Sequence, residues 1–165
     1  MGEQIDTLDD LLRPGLRAVA VGINPTPLSV AVGHYYQGTY GQRFFQRLGC
    51  LGLLPDGEGF EDDRAHAAGI GFTDVVKRPS RSRDDVTIED IELGVPILER
   101  NLAGVDTPVV IFVFGWAATK VLGFSTGPGW RSERLAGARV FVMPGPTAER
   151  STVPPLLRGL AGGLA

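Results

Sequence analysis

The run Pro108-Val109-Val110-Ile111-Phe112-Val113-Phe114, closed at once by Gly115, decides the fold class. Nothing polar interrupts it. A half-exposed strand would alternate apolar and polar residues, whereas an unbroken run of this length fits a strand buried on both faces, as in a parallel sheet covered by helices. Outward from it, Trp116 to Leu122 reads as the helix that follows. Ala18-Val19-Ala20-Val21-Gly22-Ile23 is a second strand, Ile70 to Val76 an extended segment, and Arg139 to Met143 a last strand. Helical patterns fall between the strands. Thr7 is expected to cap a short helix through Leu12, Gln42 to Leu48 is helical, and Ala65 to Ala68 adds a turn. Thr87-Ile88-Glu89-Asp90 forms a capping box opening a helix to about Leu102, which Pro96 is expected to bend or split. Pro154 to Leu164 is a terminal helix. This alternation predicts an α/β protein, a three-layer α/β/α sandwich around a mostly parallel sheet, with residues 1–165 as a single domain.

Composition narrows the function classes. The chain has 165 residues, 43% of them hydrophobic, and a formal charge of -3. Its one cysteine, Cys50, excludes an internal disulfide and a cysteine-built metal site, and its apolar helix-end position reads as packing. His34 and His66 are the only histidines, and with no carboxylate pairing evident they offer no zinc site. No apolar run is long enough to span a bilayer, and Met1 to Asp6 shows no basic-then-apolar leader, so a cytoplasmic protein without a membrane partner is expected. A monomer is expected too. The acidic balance argues against gripping nucleic acid by bulk charge, yet Lys77, Arg78, Arg81 and Arg83 form a local basic edge.

The chemistry gathers where strands end. In open α/β sheets ligands bind beyond the carboxyl ends of the strands. Gly22-Ile23-Asn24-Pro25 delivers an amide there, and the proline restrains the Asn24 backbone to an extended form. Asn24 can donate and accept hydrogen bonds but cannot act as a base, which suits holding a water or a polar substrate edge. Pro25 to Gly41 shows no periodicity and reads as a long loop bearing His34, Tyr35, Tyr36 and Tyr40. Two further loops meet the same edge, around Asp74 and after Met143. Asp74 reads either as a site carboxylate or as a surface partner of Lys77 or Arg78.

Three segments in register carry a resemblance. They are Gly22-Ile23-Asn24-Pro25 with Tyr35-Tyr36 and Arg43-Phe44-Phe45, then Gly71-Phe72-Thr73-Asp74-Val75-Val76-Lys77-Arg78-Pro79, then Val142-Met143-Pro144-Gly145-Pro146-Thr147. Together they resemble the mismatch-specific uracil/thymine-DNA glycosylases of the uracil-DNA glycosylase superfamily. The resemblance implies a monofunctional enzyme that hydrolyses the N-glycosidic bond of uracil, or a related deaminated or mismatched base, in DNA, initiating base excision repair without metal or cofactor. Its DNA partner would carry a damaged or mismatched base, flipped out of the stack. It makes Asn24 the orienter of water and Asp74 the source of negative charge. Gly22, Ile23 and Tyr36 would bind the base, Tyr36 by stacking. Arg78, Arg81, Gly145, Pro146, Thr147 and Arg150 would contact DNA. The last loop departs from the family: Gly145 stands where Asn is usual, and Glu149 where an apolar wedge is usual. A buried glutamate is a poor plug for a base stack, which leaves Arg150 to enter the gap and points to single-stranded or loosely paired substrates. That loop also lacks a histidine, so the departing base would lean on backbone N–H groups and the chemistry would be slow.

The alternative is a noncatalytic α/β module binding a nucleotide or nucleic acid. Neither a G-x-G-x-x-G nor a P-loop motif is present to cradle phosphates, and no G-x-S-x-G elbow supports acyl transfer.

Overall fold

The structure, a computed structural model, describes residues 4–123 and 127–165. Met1 to Glu3, the start of the N-terminal stretch read above, lie outside the described residues. The strands are β1 (Ala18–Gly22), β2 (Ile70–Asp74), β3 (Val109–Phe112), β4 (Gly129–Leu135) and β5 (Ala138–Val142). They form one sheet in the order β2-β1-β3-β5-β4. All neighbouring pairs are parallel except β4 with β5 at one edge.

Successive side chains of a strand point to opposite faces, so each central strand feeds two cores. On one face Ala18, Ala20, Phe72 and Ile111 pack with Phe44, Phe45 and Leu48 of α2 (Thr39–Cys50), Ala65 of α3 (Glu61–Ala67) and Leu157 and Leu160 of α6 (Val153–Leu164). On the other, Val19, Val21, Val110, Phe112 and Val140 pack with Ile91, Leu98 and Leu102 of α4 (Ile88–Val105) and Ala117 and Ala118 of α5 (Gly115–Leu122). The expected three-layer sandwich is formed, with the central strands buried along their length.

Several local expectations are corrected. Residues 7–12 are not helical: Leu11 forms an antiparallel bridge with Phe72, exchanging backbone bonds of 2.9 and 3.1 Å, and Thr7 Oγ1 donates to the Lys77 carbonyl. Pairing Leu11 with the open edge of β2 satisfies the backbone groups that a helix over these residues would otherwise have to satisfy internally. The segment Pro25 to Gly41 is not all loop, since it contains α1 (Pro27–Val32). Thr26 caps that helix by accepting from Ser29 N, Pro27 occupies its first turn, and Gly33 ends it at φ 82°. Helix α4 runs unbroken through Pro96. Buried Ile91 and Leu98 fix it to the sheet on both sides of the proline, which offsets the missing N–H. Cys50 is exposed and does not pack in the core. β4 was not legible in the sequence and forms a hairpin with β5 through Ala136-Gly137, both at positive φ.

Gly94 is the close-approach point between α4 and the sheet: a Cβ there would fall on the Val75 carbonyl oxygen, whereas one at Gly104 meets nothing within 4 Å. Gly94→Ala should therefore destabilise by about 1–3 kcal/mol. Gly104→Ala, in the same helix, should stabilise by about 0.5–1 kcal/mol. Urea midpoints of the two variants check this.

Candidate active site

The carboxyl ends of β1, β2 and β3 open onto a cleft of about 650 Å³. Its position follows from register. β1 pairs with β2 so that Gly22 lies opposite Asp74, and Val75 N and Val76 N extend the pairing to the carbonyls of Gly22 and Ile23. Gly22, Ile23, Asn24, Tyr36, Asp74, Arg81, Gly145 and Pro146 all line this cleft. The expected site residues Arg78, Thr147 and Arg150 do not.

Asn24 is held by its own amide. Its Nδ2 donates to the Arg78 carbonyl at 2.9 Å and to Ser80 Oγ at 2.8 Å. Both N–H donors are thereby used, leaving Oδ1 as an acceptor for a ligand in the cleft. Ser80 Oγ is fixed in turn by donating to the Ser82 carbonyl at 2.7 Å. Sequence reasoning missed Ser80, although it lies just beyond the second motif.

Asp74 is buried, and among the described residues its Oδ1 meets no hydrogen-bond donor. The surface-pair reading of Asp74 is overturned, because both cations near it in sequence are engaged elsewhere. Lys77 Nζ pairs with Asp10, which also accepts from Thr73 Oγ1 at 2.8 Å. Arg78 pairs with Asp90 at 2.5 Å and donates to the Asp85 carbonyl at 3.0 Å. Burial raises the Asp74 carboxyl from 3.8 to about 7, with Lys77 pulling it down and Asp10 adding to the rise.

Tyr36 stands beside it. Its ring packs edge-on against Tyr35, Phe44 and Phe72, and its buried hydroxyl has no hydrogen-bond partner among the described residues. Burial, then the nearby Asp74 charge, pushes the phenol well above its ordinary value. Its backbone sits at φ 57°, a strained conformation for an aromatic residue. Gly41 makes room for this, since a Cβ there would lie 2.6 Å from Tyr36 Cβ. Gly22 is equally constrained: a Cβ would overlap Asp74 Oδ1 and lie 3.3 Å from the Tyr36 ring. Two unpartnered buried polar atoms thus flank one glycine at the cleft floor. Native interiors rarely tolerate such atoms unless a ligand or water completes them.

The final loop is braced by arginines that sequence reasoning left as part of a motif. Arg47 donates to the carbonyls of Pro144 and Gly145, and Arg43 to that of Pro146 at 3.2 Å. Thr147, Glu149 and Arg150 are exposed beyond the braced part. His34 does have a carboxylate partner, correcting the sequence reading: its Nδ1 lies 2.9 Å from Asp62 Oδ1 and 3.8 Å from Asp63 Oδ2. Asp62 also accepts from Tyr35 N at 2.8 Å, so this cluster fixes the backbone leading into Tyr36. Neither histidine lines the cleft.

The model of the uracil DNA glycosylase superfamily matches residues 10–151. The chain belongs to that superfamily. The strand ends, the final loop and every cleft-lining residue except Leu8 fall within the matched span. The chain is also 31% identical over 137 residues to the G/U mismatch-specific uracil DNA glycosylase of Schizosaccharomyces pombe, an alignment covering 76% of this chain and 42% of that relative. The superfamily chain described here therefore spans less than half the length of the relative it matches. No helix among the described residues is long and apolar enough to cross a membrane.

The raised carboxyl links pH to stability. Between about pH 4 and 7 the folded chain holds a proton on Asp74 that the unfolded chain has released, so stability falls as pH rises through this window. Asp74→Asn should raise the melting temperature by several degrees at pH 8 and leave it unchanged near pH 4. Thermal unfolding of both proteins across that range checks it.

Proposed function

We propose that this chain is a monofunctional DNA glycosylase that hydrolyses the N-glycosidic bond of uracil, or of a related deaminated or mismatched base, and so initiates base excision repair. One observation carries the reading: a buried, unpartnered carboxylate at a strand end, beside an aromatic ring and a fixed amide oxygen, in a cleft large enough for an extruded nucleotide. Family membership supports it, and the fission-yeast relative's name points to uracil as the base.

In this reading the flipped base enters beside Tyr36, and stacking worth about 1–3 kcal/mol offsets much of the cost of leaving the helix. Asn24 Oδ1 accepts one hydrogen of a water and aims its oxygen at C1′. As the C1′–N bond breaks, its electron pair leaves with the base, and positive charge builds on the sugar. Anionic Asp74, at short range in a poorly solvated floor, stabilises that charge and takes the proton released by the attacking water. No imidazole assists the departing base, because neither histidine lines the cleft. Gly22 and Ile23 meet the base through backbone. Arg81, Gly145 and Pro146 meet the DNA at the cleft rim, and Thr147 and Arg150 meet it from the exposed loop. Arg78 serves by holding its carbonyl on Asn24 while its guanidinium stays on Asp90. The protein acts on DNA as a cytoplasmic monomer.

Incubation with uracil-containing oligonucleotides, followed by alkali, tests the reading. Strand breakage at the former uracil is expected, on single-stranded DNA at least. Asn24→Ala and Asp74→Ala should each lower the single-turnover rate by about 10²-fold or more, the scale of a lost positioning or electrostatic group. At subsaturating enzyme the wild-type rate should rise with pH through about 7, as Asp74 loses its proton. Absence of breakage on single-stranded, U:G and U:A substrates at high enzyme excess would overturn the reading.

A further inference from the structure

The cleft is larger than the extruded base alone needs, and the sugar and phosphates attached to that base share the remaining space. A uracil has eight non-hydrogen atoms; even at a whole water's share of about 30 Å³ for each, it would fill roughly 240 Å³. The cleft holds about 650 Å³. The surplus is bordered by a second aromatic residue, Trp116, on the first turn of α5. Tyr36 packs into the core on one face of the sheet, whereas α5 covers the other face, so the two rings reach the cleft from opposite layers.

Two cations gather at Trp116, on the side of the molecule where the cleft opens. Lys120 Nζ lies 5.3 Å from its ring centroid and Arg83 Cζ 5.6 Å. Both cations are exposed, and Arg83 also lines the cleft. The one ion pair of Arg83 among the described residues is with Asp84 at 3.9 Å, an exposed pair that holds neither side chain. Both charged heads lie over the indole itself, and, exposed as they are, each can swing from the ring onto a phosphate when a base takes its place. Trp130 also has a cation over its ring, Arg139 at 3.9 Å, but it lies outside the cleft lining, its Nε1 donates to the Gly159 carbonyl at 3.0 Å, and its ring packs against Phe141 at the edge of the core.

We propose that Trp116 is a second stacking platform, which holds the base next to the extruded one in single-stranded or locally unpaired DNA, with Arg83 and Lys120 on the adjoining phosphates. The inference rests on the glycosylase reading and narrows its substrate to unpaired DNA. It also answers a gap in that reading. The final loop offers exposed Glu149 where an apolar plug would be needed to hold a duplex open. A platform that grips the neighbouring base needs no duplex and no plug. Stacking tolerates any base, so the contact adds affinity without sequence preference.

Two single strands test it, each with one uracil, flanked either by thymidines or by baseless tetrahydrofuran nucleotides. The wild-type half-saturating concentration should be about tenfold lower with flanking bases. Trp116→Ala should erase that difference, and Trp116→Phe should keep most of it. A thymidine-only strand, which offers no uracil, should quench the wild-type tryptophan fluorescence but not that of Trp116→Phe, where Trp130 remains. Equal half-saturation of the wild type on both strands overturns the proposal, as does an equal loss on both in Trp116→Ala. If Trp116→Ala fails to fold, the wild-type comparison and Trp116→Phe decide. If the wild type releases no uracil at all, the glycosylase reading falls, and the fluorescence arm alone judges the platform: quenching lost in Trp116→Phe supports it, and quenching retained overturns it.

Discussion

Parallel pairing of β1 with β2 sets Gly22 opposite Asp74, and the floor of the cleft follows from that register. Side chains alternate across a strand, so a slip by one residue would turn Asp74 away and bring Thr73 or Val75 in its place. The register is held from both sides. Phe72, two residues before Asp74, is fully buried among aromatic rings, and Thr73 is tied to Asp10. Only glycine at position 22 leaves room for the carboxylate, and only the strained backbone at Tyr36 brings an aromatic ring alongside. Each of these features is costly alone. Together they describe a surface shaped for something the folded chain does not itself supply.

The remaining parts of the site are fixed by hydrogen bonds drawn from distant segments. Asn24 is oriented by residues 78 and 80, and Tyr36 is delivered by a backbone tied to Asp62. The final loop is tethered by Arg43 and Arg47, whose guanidinium groups face carbonyls and not carboxylates. Burial lowers the Arg47 pKa, with Arg43 adding to the effect, a direction consistent with a cation placed for its geometry. The loop base is thus rigid while its tip, with Glu149 and Arg150, stays open to solvent.

The central strands were legible because burial on both faces leaves an unmistakable apolar run, as in Val109 to Phe112. The capping box at Thr87 and Asp90 was equally plain. β4 was hidden because its residues, Arg131, Ser132, Glu133 and Arg134 among them, belong to an edge strand that need not be apolar. Helix α1 was hidden by brevity, although Thr26-Pro27 carried the signal of a helix start. Asn24, Tyr36 and Asp74 were each visible as residues. The burial of Asp74 was not, because it depends on Lys77 and Arg78 choosing Asp10 and Asp90, partners that only the fold brings near. Trp116 went unnoticed for the same reason: Arg83 reaches it from another segment.

The central claim is that the fold holds a carboxylate at the cleft floor in a state poised between acid and anion at neutral pH. The most direct measurement is a carbon-13 NMR titration of the Asp74 side-chain carboxyl, assigned by comparison with Asp74→Asn. The account predicts a midpoint near 7, set by burial. A midpoint near 4, where a solvated aspartate titrates, would contradict it.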